Sequence, residues 1–132
     1  MSEDCIFCRI IKRKVPTQVI YEDDKVIVIP DKYPTTPGQT LIIPKKHVSY
    51  FVDVDDETFS HSMNISKKVA KASDTAFNSE RTCLLIEGFE VPHVHIKLFP
   101  TYGEGLNIHE AKEASNEELI NVAESIKKAL RD

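Results

Sequence analysis

No apolar stretch in this chain outlasts a β-strand. The longest runs, Val26–Pro30 and Leu41–Pro44, end after a few residues, and nothing approaches the roughly 18 residues of a membrane span. Short apolar runs separated by amphipathic stretches predict a core made of strands covered by helices. Thr40–Pro44 is apolar on both faces and reads as a central strand. Val19–Glu22 and Val26–Ile29, joined through Asp23-Asp24-Lys25, read as a hairpin, and the proline-rich Pro30–Gly38 as a loop.

Helices fill the gaps. Ile6, Phe7, Ile10 and Ile11 cluster at helical spacing within Cys5–Lys14, and Pro16 disfavours continuation. Acid at Asp53, Asp55, Asp56 and Glu57 suits the start of a long helix running to about Phe77. Its apolar-to-small face is predicted at Phe59, Met63, Ser66, Val69, Ala70 and Ser73. Thr82–Ile86 and Val91–Phe99 read as strands around a Glu87–Glu90 turn, and Ser115-Asn116-Glu117-Glu118 is a capping box. The order α-β-β-β-α-β-β-α predicts an α+β fold, a five-stranded antiparallel sheet with helices packed on one side. At 132 residues the expectation is one domain, residues 1–132, with a core over about 5–102 and a last helix over about 116–130.

Charge and glycine content exclude several functions. Seventeen basic and 21 acidic side chains give a net charge of −4, which predicts no strong nucleic-acid face. The opening Met1-Ser2-Glu3-Asp4 does not begin a signal peptide, so the expectation is a cytoplasmic protein away from membranes. Only Gly38, Gly88, Gly103 and Gly105 are present, and neither common glycine-rich phosphate loop can be written with them. Any phosphate must be held by side chains and short turns.

Three clusters could carry chemistry. In Pro92–Pro100, alternation predicts Val94, Ile96 and Leu98 in the core, with His93, His95 and Lys97 lined up on the other face. About 0.2 His-x-His pairs are expected by chance at this composition, so the pair gains meaning mainly from Lys97. Two imidazoles and an ammonium suit an anion and a nucleophile unprotonated near neutral pH. The second cluster, Cys5-Ile6-Phe7-Cys8, has a chance expectation of about 0.07. It fits a zinc half-site completed by histidines better than a redox pair, with two plain core thiols as the bland alternative. The third is Pro44-Lys45-Lys46-His47, where His47 at a strand end could meet Cys5 and Cys8 while the lysines form a solvated turn. His61 and His109 read as exposed, and Cys83 as strand core.

Taken in order, "CIFCRIIKRKVP" at 5–16, "VIYEDD" at 19–24, "PTTPGQTLIIPKKH" at 34–47 and "PHVHIKLFP" at 92–100 resemble the histidine-triad (HIT) family. The resemblance implies a homodimer that binds a nucleoside phosphate and cleaves or transfers at its α-phosphate through a nucleotidyl-histidine. It assigns the nucleophile to His95, with His93 as the first triad position and Lys97 where a third histidine stands. It gives Ile6, Phe7, Ile10 and Ile29 to the wall beside the base, and Asp31 to the ribose hydroxyls. It also implies structural zinc at Cys5, Cys8, His47 and His93. Ile86 replaces an asparagine usual in the family, and Phe89 replaces a glutamine whose amide contacts phosphate. Two functions therefore compete: a nucleotide hydrolase or nucleotidyl transferase, and a nucleotide-binding module with little catalysis.

Overall fold

The computed structural model describes residues 4–132; residues 1–3, from the segment read as no signal-peptide start, lie outside the described residues. The elements are α1 (Ile6–Ile11), β1 (Tyr21–Glu22), β2 (Val26–Pro30), β3 (Thr40–Pro44), α2 (Asp56–Phe77), β4 (Arg81–Glu87), β5 (His95–Thr101) and α3 (Asn116–Arg131). A 3-10 turn at Phe51–Asp53 precedes α2. The strands form one antiparallel five-stranded sheet in the order β1-β2-β3-β5-β4.

Every residue of β2 and β3 is buried, because the sheet is covered on both faces. On one face Val26, Val28, Ile42, Ile96 and Leu98 pack against Ile65, Val69 and Ala72 of α2 and Ala123 and Ile126 of α3. The two long helices thus share a side, as expected. The short α1 differs: its Phe7, Cys8 and Ile10 pack on the opposite face against Ile27, Ile29, Leu41 and Ile43. Complete burial of each such aliphatic side chain contributes about 1.5–3 kcal/mol. Those contacts matter for α1, since six residues are too few for a helix to persist by local bonds alone.

Several boundaries move for identifiable reasons. Helix α1 stops at Ile11, short of the expected Lys14, as the chain turns through Arg13 at φ 61°. The buried stripe of α2 is Thr58, Ser62, Ile65, Ser66, Val69, Ala72 and Ser73. The predicted face was rotated toward Phe59, whose ring instead meets Phe51 at 6.4 Å. Hydroxyls on this stripe bond back into the helix, Ser62 Oγ donating to Thr58 O and Ser66 Oγ to Ser62 O. Asp55 caps α2 by accepting from Thr58 N–H, and the capping box at Ser115 and Glu118 forms as read. Gly38 adopts φ +85°, and a Cβ there would fall 2.7 Å from the Phe77 ring, so the β2–β3 loop lies flat on the end of α2.

His61, expected in solvent, is half-buried, and its Nε2 lies 2.6 Å from Asp23 Oδ2. The same carboxylate accepts from Tyr21 Oη and from the Lys25 and Val26 N–H groups, so it shapes the hairpin turn and ties it to α2. Burial opposes its ionisation, but the bonds from Tyr21, His61 and the two amides outweigh that and hold the carboxyl well below its ordinary value. A depressed folded pKa means the stabilisation is present above the unfolded value near 3.9 and is lost as pH falls through the folded one. Asp23→Asn should therefore cost about 1–2 kcal/mol at pH 7. In urea unfolding, the gap from wild type should narrow as the pH drops below about 4.

Candidate active site

The Cys-x-x-Cys spacing takes its geometry from the start of α1. Cys5 is the N-cap residue and its Sγ accepts from the Cys8 N–H at 3.4 Å, which brings the two sulfurs to one end of the helix. His47 follows the end of β3, and His93 comes from the segment leading into β5. Cys5 Sγ lies 3.4 Å and Cys8 Sγ 3.6 Å from His93 Nδ1, Cys8 Sγ lies 3.2 Å from His47 Nδ1, and the two Nδ1 atoms are 3.2 Å apart. All four donor atoms fall within 4.8 Å of one another. Metal–sulfur and metal–nitrogen bonds of about 2.3 and 2.0 Å around a tetrahedral ion require ligand separations close to these. Two thiols and two imidazoles so arranged are compatible with zinc.

His93 has no freedom. Its Nε2–H donates to Pro44 O at 2.7 Å, which leaves the Nδ1 lone pair facing the sulfurs, the second partner expected of a metal-binding imidazole. Burial lowers its pKa against the raising effect of that carbonyl, and burial likewise pushes the Cys5 thiol up. Both shifts favour neutral side chains, so a divalent cation entering here must release thiol protons.

The row of His93, His95 and Lys97 is not formed. Strand β5 begins at His95, not Val91, and residues 88–94 are an irregular connection. Pro92 cannot donate to a ladder, and the Val94 N–H goes to Val48 O instead. His93 is consequently turned into the cysteine cluster, and the first triad position meets the second through its backbone: His95 Nδ1–H donates to His93 O at 2.8 Å. That bond fixes the tautomer and leaves a lone pair on Nε2. The Phe7 ring stands edge-on to both imidazoles, with centroids 4.9 Å from His95 and 5.9 Å from His93.

His95 and Lys97 face a cavity of about 890 Å³. Its apolar wall includes Ile6, Phe7, Ile10 and Ile29, and Asp31 lies on its rim. Asp31 is held by two bonds: Oδ1 accepts from the Tyr33 N–H and Oδ2 from Gln39 Nε2, whose own Oε1 accepts from the Thr35 N–H. Every residue expected beside a nucleotide therefore lines one cavity, apart from His93.

Two acids that were read as a turn belong to this cavity. Glu87 ends β4 and pairs in register with His95. Its Oε2 lies 3.5 Å from His95 Nε2 and 3.2 Å from Lys97 Nζ, while Glu90 Oε1 lies 3.1 Å from the same ammonium. Burial would raise Glu87, but the Phe89 N–H, His95 and Lys97 prevail and hold it below the ordinary carboxylate range. Burial likewise opposes the charge on Lys97, and Glu90 and Glu87 outweigh it, so the lysine is firmly cationic. A hairpin closed tightly around the Glu87–Glu90 turn would set another residue opposite His95; the irregular connection of residues 88–94 brings Glu87 there instead. Phe89 borders the cavity but is 95% exposed.

This geometry is that of a histidine-triad protein. Residues 12–104 match the HIT domain family, and the chain belongs to it. It is 34% identical over 127 residues to an uncharacterised HIT-like protein of Methanocaldococcus jannaschii, covering 93% of this chain and 98% of the relative. It is 39% identical over 102 residues to the adenosine 5'-monophosphoramidase of Saccharomyces cerevisiae, covering 76% of this chain and 64% of that one. A zinc-bound histidine-triad protein from Mycobacterium smegmatis superposes with a TM-score of 0.82 at 25% identity, covering 97% and 94% of the two chains.

Gly88 sets the connection against the rest of the site. A Cβ at this position would fall 2.0 Å from the Ser49 carbonyl oxygen, backbone that cannot swing aside. Gly88→Ala should force the connection away from the Ser49 backbone and lower stability by about 1–3 kcal/mol, read as a lowered melting temperature.

Proposed function

We propose that this protein cleaves a nucleoside phosphoramidate or dinucleoside polyphosphate at the α-phosphorus, as a hydrolase or nucleotidyl transferase. The observation that carries this is the His95 tautomer, since the bond from Nδ1 to His93 O leaves Nε2 free to attack. In the first half-reaction Nε2 forms a bond to phosphorus and the leaving group departs with the electron pair of the bond it breaks, an amine taking up a proton from solvent as it leaves. Lys97 offsets charge on the phosphoryl oxygens, which Phe89 cannot do in place of an amide. Ile6, Phe7, Ile10 and Ile29 hold the base, and Asp31, whose oxygens already accept two bonds, receives the ribose hydroxyls. The His93 imidazole takes no part in proton transfer here; its carbonyl orients His95.

Zinc at Cys5, Cys8, His47 and His93 is part of the same proposal, supported by the donor separations and by the zinc-bound relative. Four protein ligands leave no open position, so the ion supplies a crosslink between α1, β3 and the approach to β5 rather than an activated water. Free thiols at Cys5 and Cys8 agree with a cytoplasmic setting. Among the described residues no helix is long and apolar enough to cross a membrane. We also propose a homodimer: β4 is an edge strand of seven residues with Leu84 40% exposed, a surface that a second copy could cover.

The competing binding-module function draws on the pairing of Lys97 with Glu87 and Glu90, which occupies the ammonium that a phosphate would use. Incubation with adenosine phosphoramidate and with a dinucleoside polyphosphate, following mononucleotide release, separates the two. Turnover by the wild type should fall at least about 10³-fold in His95→Ala, with nucleotide affinity within about tenfold. Equal turnover in both proteins would refute the mechanism; tight binding without turnover would favour the module.

Elemental analysis of protein purified without chelator should find about one zinc per chain. Cys8→Ser should lower both the zinc content and the melting temperature, whereas stability indifferent to chelators would rule the ion out.

A further inference from the structure

A lysine at the third triad position leaves a chemical gap. An ammonium offers three donors and no acceptor, whereas imidazole offers one of each. Hydrolysis of a nucleotidyl-histidine needs an acceptor for a water proton, and Lys97 cannot supply it. Among the described residues three carboxylates line the cavity: Asp31, Glu87 and Glu90. Asp31 already accepts from Tyr33 and Gln39, and its remaining acceptor capacity is assigned to the ribose hydroxyls. Glu90 is 74% exposed at its side chain and reaches only the lysine.

Glu87 is placed differently. Its Oε1 accepts from the Phe89 N–H at 2.5 Å, so one oxygen is anchored to the backbone. The other, Oε2, lies 3.5 Å from His95 Nε2. Its side chain is only 14% exposed, as is that of Lys97. We propose that Glu87 is the general base of the second half-reaction, taking a proton from the water that hydrolyses nucleotidyl-His95; this rests on His95 being the nucleophile.

The atoms balance as follows. In the intermediate, phosphorus is bonded to His95 Nε2, and the Glu87 carboxylate, 3.5 Å from that nitrogen in the free protein, swings aside to admit the phosphoryl group. Lys97 exchanges its surface bond to Glu90, which is weak in solvent, for a phosphoryl oxygen. Water arrives where the leaving group departed, in line with Nε2 and toward the displaced carboxylate. One water proton passes to a Glu87 oxygen and the water oxygen bonds to phosphorus. The P–Nε2 bond breaks and its electron pair returns to Nε2. Glu87 then gives its proton to solvent. The carboxylate, held below its ordinary pKa, is ionised and ready at neutral pH. Glu87 and Lys97 together do what one imidazole does: the lysine carries charge and the glutamate accepts the proton.

The test uses the full-length chain and an adenosine phosphoramidate with a fluorescent arylamine leaving group. Glu87→Gln should release a burst of about one amine per chain and then turn over at least about 10²-fold more slowly than wild type. Intact-mass measurement should show the adenylylated chain accumulating. Glu87→Ala should be as slow, and added formate should restore part of its rate. A wild-type steady-state rate in Glu87→Gln would overturn the assignment. Loss of the burst together with the steady state would overturn it too, since Glu87 would then act before the intermediate. Failure of the parent reading looks different: wild type and His95→Ala would release amine equally, with no covalent species in any variant.

Discussion

The geometry of the site follows from three of the contacts that His93 makes. Its Nε2–H is fixed to the Pro44 carbonyl at the end of β3, its Nδ1 meets the sulfurs at the start of α1, and its carbonyl sets the tautomer of His95. A fully buried imidazole with both nitrogens partnered cannot rotate without leaving a polar group unsatisfied, at a cost of about 1–3 kcal/mol for each. The cysteine cluster and the reacting nitrogen are therefore mechanically connected although only one of them faces the cavity. Loosening α1 would be felt at His95 through one residue.

The sheet makes this connection possible. Central strands buried on both faces need cover on both, and α2 and α3 supply it on one side only. The opposite face is left to α1, which is too short to hold itself. Its sulfurs anchor the helix at one end and its apolar side chains along the other, with Phe7 wedged between the two imidazoles. The residues that form the cavity wall are thus the same ones that close the core.

The strands, their antiparallel order and the helix caps were legible in the sequence because each rests on local signals: short apolar runs, acid at a helix start, Ser-x-x-Glu. The apolar wall, Asp31 and the four cysteine and histidine donors were legible mainly as motif positions. What periodicity misread was the approach to β5. Alternation put His93, His95 and Lys97 in one row, but alternation holds only while the ladder continues. Pro92 and the amide of Val94, drawn to Val48, end it at His95, four residues short of the expected Val91. The same irregular connection hid Glu87, which only the pairing register sets opposite His95. The α2 stripe was misplaced for another reason: Ser62 and Ser66 satisfy their hydroxyls on the helix itself and so bury as if apolar.

The cavity also lies across a seam in the chain. Ile6, Phe7, Ile10, Ile29 and Asp31 line it from the chain before β3, Leu85, His95, Lys97 and Phe99 line it from the chain after α2, and the two halves of the sheet pair through Thr40, Leu41 and Ile42 against Leu98, Lys97 and Ile96. A molecule bound there touches both halves at once, so it favours the closed seam over every partly opened form. By linkage, occupancy at 100 times the dissociation constant adds about 2.7 kcal/mol to stability. The melting point of such a protein becomes a gauge of the ligand concentration around it, and resistance to proteolysis should follow the same gauge.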